Sequence, residues 1–380
     1  MSLASLVEDD PLLWEVIERA PGHDRWMEQV AHTGYCEHPI RLSGRIAQVD
    51  KASGEIREVY STEDEPDATL LKKCGNRRDS RCRSCAAEYR GDTYQLVLAG
   101  LRGGRKGVPE SVAWHPKLFV TLTAPSFGAV HSRRTRGHRL LHCHPRQGNP
   151  RCPHGRPASC WQLHLEGDPR LGEPLCAECF DYEAQVLWNA LCPELWRYTR
   201  MDIPRALAGI MGLKVTELER LVRFDYCKVA ELQLRGALHF HIVMRLDARP
   251  PRGDSEQVAP PPDDFTPQLF EEAVRLSHAR IEAPHPRISR DRPAGYLRWG
   301  REIDIRNVSP DGPGDLSHEV VAFYVAKYAT KNTEAMKGLD RSLSAIEVDC
   351  LTGRPHIVCL VRTSWLMGNR PSLENLRLQR

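Results

Sequence analysis

One stretch of this chain, Glu231-Leu-Gln-Leu-Arg-Gly-Ala-Leu-His239-Phe-His241, admits few local structures. Residues 228–234 and 237–246 read as strands, and Arg235-Gly236 between them reads as a turn. Residues two apart in a strand share a face. His239 and His241 therefore point the same way, as two imidazoles of one metal site must. With an odd number of loop residues, Glu231 lies opposite His239 on that face; a one-residue slip puts it on the other. Two imidazoles and a carboxylate suit a divalent ion with open positions, Mg²⁺ or Mn²⁺. A lone His-x-His is often only packed and hydrogen-bonded, so the weight rests on the glutamate and on a segment further along.

That segment is Tyr324-Val-Ala-Lys-Tyr-Ala-Thr-Lys331. Residues 319–332 are apolar-rich, lack Gly and Pro, and read as a helix capped by Asp315 or Ser317. Side chains four apart are neighbours on a helix. Tyr324, Tyr328 and Lys331 line one stripe; Val321, Val325 and Ala329 form the stripe beside it and face a core. Each tyrosine has a lysine three residues on, Lys327 and Lys331. Alone, the segment is one packed tyrosine and two solvated lysines. Beside a metal-binding strand it becomes a nucleophile with charge-neutralising partners. Asp304, on the polar side of a strand over 299–308, reads as a surface residue.

The chain has thirteen cysteines among 380 residues and a net charge of +3. It shows no basic, apolar leader at its start and no apolar run of transmembrane length, so a cytoplasmic protein without a membrane partner is expected. In a reducing compartment, clustered cysteines argue for metal rather than disulfides. Cys82-Arg-Ser-Cys85 is one knuckle, and Cys36 and Cys74 complete a tetrahedral zinc set with it. Cys176-Ala-Glu-Cys179 is a second knuckle, for which Cys152 and Cys160 are the expected partners. Cys143, His144, His154 and His164 stand in reserve, and a two-metal cluster stays open; one or two structural zinc ions are expected. Cys192, Cys227, Cys350 and Cys359 are unclustered and read as buried thiols. Arg77 and Arg78 crowd the first knuckle, and Arg133, Arg134 and Arg136 lie in an acid-free run; both suit phosphate contact.

Glu-x-Gln-x-Arg-Gly-x-x-His-x-His followed by Tyr-Val-x-Lys-Tyr-x-x-Lys resembles the HUH endonuclease superfamily in its two-tyrosine branch, which includes rolling-circle initiators and Helitron-type transposases. Lys117-Leu-Phe-Val-Thr-Leu-Thr-Ala124 is similar to the first motif of that family. Cys74-Gly-Asn-Arg-Arg and Leu175-Cys-Ala-Glu-Cys-Phe-Asp-Tyr182 look closer still to replication initiators of actinobacterial plasmids and integrative elements. The resemblance implies an α+β fold whose central antiparallel sheet carries the histidines, with flanking helices and zinc-bound accessory regions. Residues 1–110 are expected as a zinc-binding region and 111–380 as the nuclease, with a cysteine-rich insertion at about 125–180. Related initiators commonly continue past residue 380, so a shortened C-terminus is expected.

The resemblance also implies nicking of single-stranded origin DNA. A metal held by His239, His241 and Glu231 assists Tyr324 or Tyr328, with Lys327 and Lys331 beside them. The products are a 5′-phosphotyrosine link and a 3′-OH primer, for use with host helicase and polymerase. Tyr324 and Tyr328 both fit the family's tyrosine pattern, with Tyr324 the expected first nucleophile. A rolling-circle transposase, a relaxase and a non-catalytic zinc-containing origin-binding regulator are the alternatives.

Overall fold

The computed structural model describes residues 22–250, 257–310, 315–331, 343–376 and 378. Residues 11–19, whose pattern reads as a short amphipathic helix, lie outside them. Two compact units divide at Asp92/Thr93. This boundary falls inside a helix, Arg83–Arg102, where the sequence suggested a division near residue 110.

The first unit contains α1 (His23–His32), β1 (Ile40–Leu42), β2 (Arg45–Val49), β3 (Ile56–Ser61), β4 (Leu70–Lys72) and the start of α2 (Arg83–Arg102). β1 pairs with β4 and β2 with β3, both antiparallel. Buried Gln29 of α1 ties the pieces together. Its amide donates to Glu65 Oε2 at 2.7 Å and its oxygen accepts from the Leu71 amide at 2.8 Å. Among the described residues of this unit, the buried apolar side chains are Cys36, Cys82, Cys85 and Ala86. Three thiols and a methyl group do not make a conventional core, so the cysteine cluster carries the fold here.

The second unit is built on a four-stranded antiparallel sheet. Its strands are β5 (Lys117–Leu122), β8 (Val222–Leu232), β9 (Leu238–Ala248) and β12 (Ile303–Asn307), in the order β12-β5-β9-β8. The intervening β6 (Arg134–Arg136) and β7 (Arg139–Leu141) form a small hairpin of their own. β10 (Glu282–His285) and β11 (Gly295–Arg298) form another. Side-chain alternation gives each strand of the main sheet two different faces. Leu118, Val120, Leu122, Phe240, Ile242 and Met244 face the larger core, with α3 (Tyr182–Ile210) and α5 (Pro267–Arg280) against them. Trp188 and Trp196 of α3 pack in that core, as two aromatic residues eight apart on one helix face do. The opposite face presents Phe119 and Val243. It is covered by Val97 and Leu101 of α2 and by Val321, Ala322 and Val325 of α6 (His318–Lys331). Ser317 Oγ accepts from the Val320 amide and starts α6. The architecture is therefore a mixed α+β fold with a central antiparallel sheet and flanking helices. No helix among the described residues is long and apolar enough to cross a membrane.

Some expected elements differ in extent. A helical pattern is read over 181–200; α3 runs ten residues further, to Ile210, and contains Pro193 and Pro204. Its buried face, including Leu195, Ile203 and Leu207, outweighs the helix bonds that proline forfeits. A helical pattern is also read over 211–220, where α4 (Val215–Leu221) lies. α7 (Ala345–Asp349) and α8 (Pro355–Gly368) close the chain with a short 3₁₀ turn. Of the four unclustered cysteines, Cys192 is buried, Cys227 and Cys359 are half-buried, and Cys350 is exposed.

The turn joining β8 to β9 sets the register of the site, and α3 and α8 hold it. Gln185 and Asn189 of α3 donate to the carbonyls of Arg235 and Gly236, each at 2.8 Å, while Asn189 Oδ1 accepts from the Leu238 amide. Gly236 has φ +72°, and a Cβ there would stand 2.5 Å from Leu360 Cδ1 of α8. Gly236→Ala should lower stability by about 1–2 kcal/mol from the left-handed backbone alone, more if Leu360 cannot yield. Urea denaturation measures it. An unchanged midpoint would mean that this turn relaxes freely and does not fix the register.

Candidate active site

β8 and β9 pair with Glu231 directly opposite His239 and Val229 opposite His241. Residues 233–237 form the odd-numbered loop that this register needs. Glu231 Oε2 stands 2.6 Å from His239 Nε2 and 2.9 Å from His241 Nε2. The three ligand atoms lie within 4.8 Å of one another. The far nitrogen of each ring is also engaged. His241 Nδ1 lies 3.1 Å from Thr121 Oγ1 on β5, and His239 Nδ1 lies 3.1 Å from Gln233 Nε2. Arg235 Nε donates to Gln233 Oε1 at 2.8 Å, and its guanidinium donates to the carbonyls of Ala124 and Pro125. Outer contacts of this kind aim imidazoles at a metal. Glu-x-Gln-x-Arg thus divides into a ligand atom, a ring-orienting amide and a strut to the end of β5. Thr121 was not singled out in the sequence; its place opposite His241 follows only from the β5–β9 register.

The electrostatics favour a cation. Burial pushes the Glu231 carboxyl up, but hydrogen bonds from His239 and His241 overcome this and hold it at about 2. Burial keeps His241 below the usual imidazole value against the pull of Glu231. A carboxylate and a neutral imidazole are the forms that bind metal. The N₂O donor set fits Mg²⁺ or Mn²⁺.

α6 sets its tyrosines against this group. The Tyr324 and Tyr328 rings lie 4.9 and 5.0 Å from the His241 ring, centroid to centroid, and 4.6 Å from each other. Phe119 stacks on His241 and meets Tyr324 edge-on, which fixes ring positions on both elements. Burial raises the Tyr324 phenol, and so do its hydrogen bond with Tyr328 and the charges of Tyr328, Glu231 and Asp304. A cation held at Glu231 would oppose that effect. Lys327 Nζ lies 5.4 Å from the Tyr328 ring centroid. Lys331 ends α6, and its side chain lies outside the described residues. Asp304 is an exposed residue ion-paired with Arg306.

Cys36, Cys74, Cys82 and Cys85 come together in the first unit. Their sulfurs stand 3.8 Å (Cys36–Cys82), 3.7 Å (Cys74–Cys85) and 3.7 Å (Cys36–Cys85) apart. Disulfides need about 2.05 Å; four sulfurs on a tetrahedral zinc stand about 3.8 Å apart. Burial raises the Cys82 thiol, but hydrogen bonds from Ser84 and the backbone of Cys85 and Glu37 bring it down to about 6. The four cysteines expected around the second knuckle separate. Cys152, Cys176 and Cys179 gather with His154, whereas Cys160 joins His131, Cys143 and His164. The physical reason is the antiparallel bridge His144–Cys160, which draws Cys160 to Cys143.

Arg77 is exposed and Arg78 half-buried beside the first cluster. Arg133 and Arg136 are exposed on the β6–β7 hairpin, while Arg134 donates to the carbonyls of His142 and Cys143. Arg136 faces Arg139 across the hairpin. Like charges directly opposed in a sheet repel, which makes this an anion-seeking pair.

Comparison with known proteins places the chain among replication initiators. It belongs to the RepSA family, described as "Replication initiator protein, pSAM2", whose model matches residues 22–380. It is also 40% identical over 336 residues to a replication initiator protein of Streptomyces ambofaciens, covering 87% of this chain and 67% of that protein. No solved structure matches.

Proposed function

We propose that this initiator opens a rolling-circle plasmid origin by cutting single-stranded DNA through tyrosine transesterification, as an HUH nickase. The observation that carries the reading is the convergence of Glu231, His239 and His241 beneath two tyrosines of one helix. A divalent ion bound there would polarise a phosphoryl oxygen and withdraw its developing charge. The Tyr324 hydroxyl forms the bond to phosphorus, and the departing oxygen leaves as a 3′-OH. Lys327 supplies positive charge beside the tyrosines. Arg133, Arg136 and the Arg77–Arg78 loop hold backbone phosphates, so affinity falls with salt. Structural zinc in the Cys36, Cys74, Cys82 and Cys85 set replaces the missing apolar core of the first unit. The 3′-OH then primes a host polymerase, with a helicase opening the duplex.

The test is to incubate the protein with Mn²⁺ and single-stranded DNA from the element that encodes it, then trap the DNA covalently on denatured protein and sequence its end. One defined 5′ end is the expected result. DNA that is bound specifically but never cut or linked would leave a non-catalytic origin-binding protein.

A further inference from the structure

We propose that residues 131–179 form an interlocked two-metal module. His131, Cys143, Cys160 and His164 hold one zinc ion, and Cys152, His154, Cys176 and Cys179 hold another. Within each group the ligand atoms lie within 4.8 Å of one another. Along the chain the ligands come in four pairs. The first and third pairs meet at one centre, the second and fourth at the other. Each centre closes a loop of chain that contains a ligand pair of the other, so the two brace each other.

Three further observations support it. The first is the lack of any other core. Between residues 129 and 179, Leu171 is the only buried apolar side chain other than a cysteine. Regular structure there is limited to the β6–β7 hairpin and isolated bridges. A segment of this kind holds a defined shape when a metal contributes folding free energy.

The second is spacing. His131 Nδ1 and His164 Nε2 are 3.1 Å apart, and Cys160 Sγ lies 3.5 Å from His164 Nε2. In the other group, His154 Nδ1 is 3.2 Å from Cys179 Sγ and 3.7 Å from Cys176 Sγ. Edges of a tetrahedral zinc site are about 3.4 Å between nitrogens and about 3.6 Å between nitrogen and sulfur.

The third is outer support. The Asp168 carboxylate accepts from His164 Nδ1 at 2.7 Å and is itself clasped by Arg170, so His164 Nε2 is the nitrogen turned to the group. The Ser132 amide donates to Cys143 Sγ at 3.2 Å. A carboxylate on the far nitrogen and an amide on the sulfur are the contacts that aim and stabilise metal ligands.

The module has a place in the larger fold. His131 and Cys143, on one metal, close the base of the β6–β7 hairpin that bears Arg133 and Arg136. His131 also pairs through its backbone with Gly172 and Glu173. Gly172 lies so close to the backbone of Leu234 and Arg235 that a Cβ there would meet it at 2.4 Å. The carboxylate of Glu173 accepts from Arg354 and from the His356 amide of α8. One metal thus pins the arginine hairpin to the turn that sets the Glu231–His239 register. This inference stands apart from the nicking chemistry, and its test reads neither cutting nor DNA binding.

The test is cadmium-113 NMR on the full chain with cadmium exchanged for zinc, alongside zinc analysis of the native protein. The three centres differ in donors, with four, three and two thiolates, and each thiolate moves the resonance further downfield. Three resonances in those classes, and three equivalents of zinc besides any held at Glu231, His239 and His241, are expected. His164→Cys keeps a ligand in place and should move the two-thiolate resonance to the three-thiolate class, leaving the others unshifted. Two equivalents with two four-thiolate resonances would overturn the proposal in favour of a single Cys152, Cys160, Cys176 and Cys179 site. A spectrum untouched by His164→Cys, or a folded protein with one equivalent or none, would overturn it too.

Discussion

The double variant His239→Ala/His241→Ala should bind single-stranded origin DNA and leave it uncut. Glu231 alone then remains of three converging donors, and one carboxylate does not hold Mg²⁺ or Mn²⁺ in a fixed place. Charge stabilisation by such an ion is worth several kcal/mol, and about 1.4 kcal/mol is a factor of ten in rate. A fall of roughly 10³-fold or more in cutting is therefore expected. Affinity should change by less than about threefold, because phosphate contacts by arginine carry it. The folded state should tolerate the change, since the register is held at the turn by Gln185 and Asn189 rather than by the imidazoles. The wild-type pH profile has a defined sign. Burial holds His241 below its ordinary value, so it stays neutral to more acid pH than a free imidazole. Metal-dependent cutting should be lost only in more acid solution. Normal cutting by the double variant with Mn²⁺ would remove the metal assignment.

How much of this geometry the sequence exposed depended on whether the relevant period was local. Glu231, His239 and His241 were legible because strand alternation has a period of two and the loop count is odd; the pairing is then arithmetic. Tyr324 and Tyr328 were legible because the interval of four is the helix repeat, and Val321 and Val325 fall on the buried side. Cys36 and Cys74 could be added to the Cys82–Cys85 knuckle because no other cysteines lie nearby. The insertion defeated the same reasoning. Its loops have no period, and ligand connectivity cannot be deduced from order alone. His131 sat at the head of an arginine run and read as part of it. Thr121 and the buried His115–Asp247 pair were equally hidden, since each meets its partner across the sheet. Lys117 Nζ donates to the carbonyls of Val112, Ala113 and His115, and His115 meets Asp247 at 2.7 Å. Nothing in a single strand announces a buried polar pair whose members lie 132 residues apart.

Tyr324→Phe should abolish the covalent DNA adduct, and Tyr328→Phe should retain it while impairing a second strand transfer. The substitution removes one oxygen and keeps the ring, so the contacts with Phe119 and His241 persist. Both tyrosines touch His241, so proximity to the ligands does not separate them. Two other features do. The charge of Glu231 is felt at the Tyr324 hydroxyl and contributes to raising it, which places that oxygen within the field of any cation bound at Glu231. The same cation would turn the effect around and favour the phenolate. Tyr324 also meets both Phe119 and His241 edge-on, which holds its ring from two sides. One helical turn displaces a nucleophile by about 5.4 Å along the axis, whereas attack needs the reacting atoms at about 3–3.5 Å. A phosphate held on one fixed ion is therefore in line with one tyrosine at a time. Tyr328, hydrogen-bonded to Tyr324 and flanked by Lys327, is placed to accept the strand once the first tyrosine is occupied. Peptide mapping of the trapped adduct decides between them. Nucleotide on Tyr328 alone would exchange the two roles, and nucleotide on neither would end the nuclease reading.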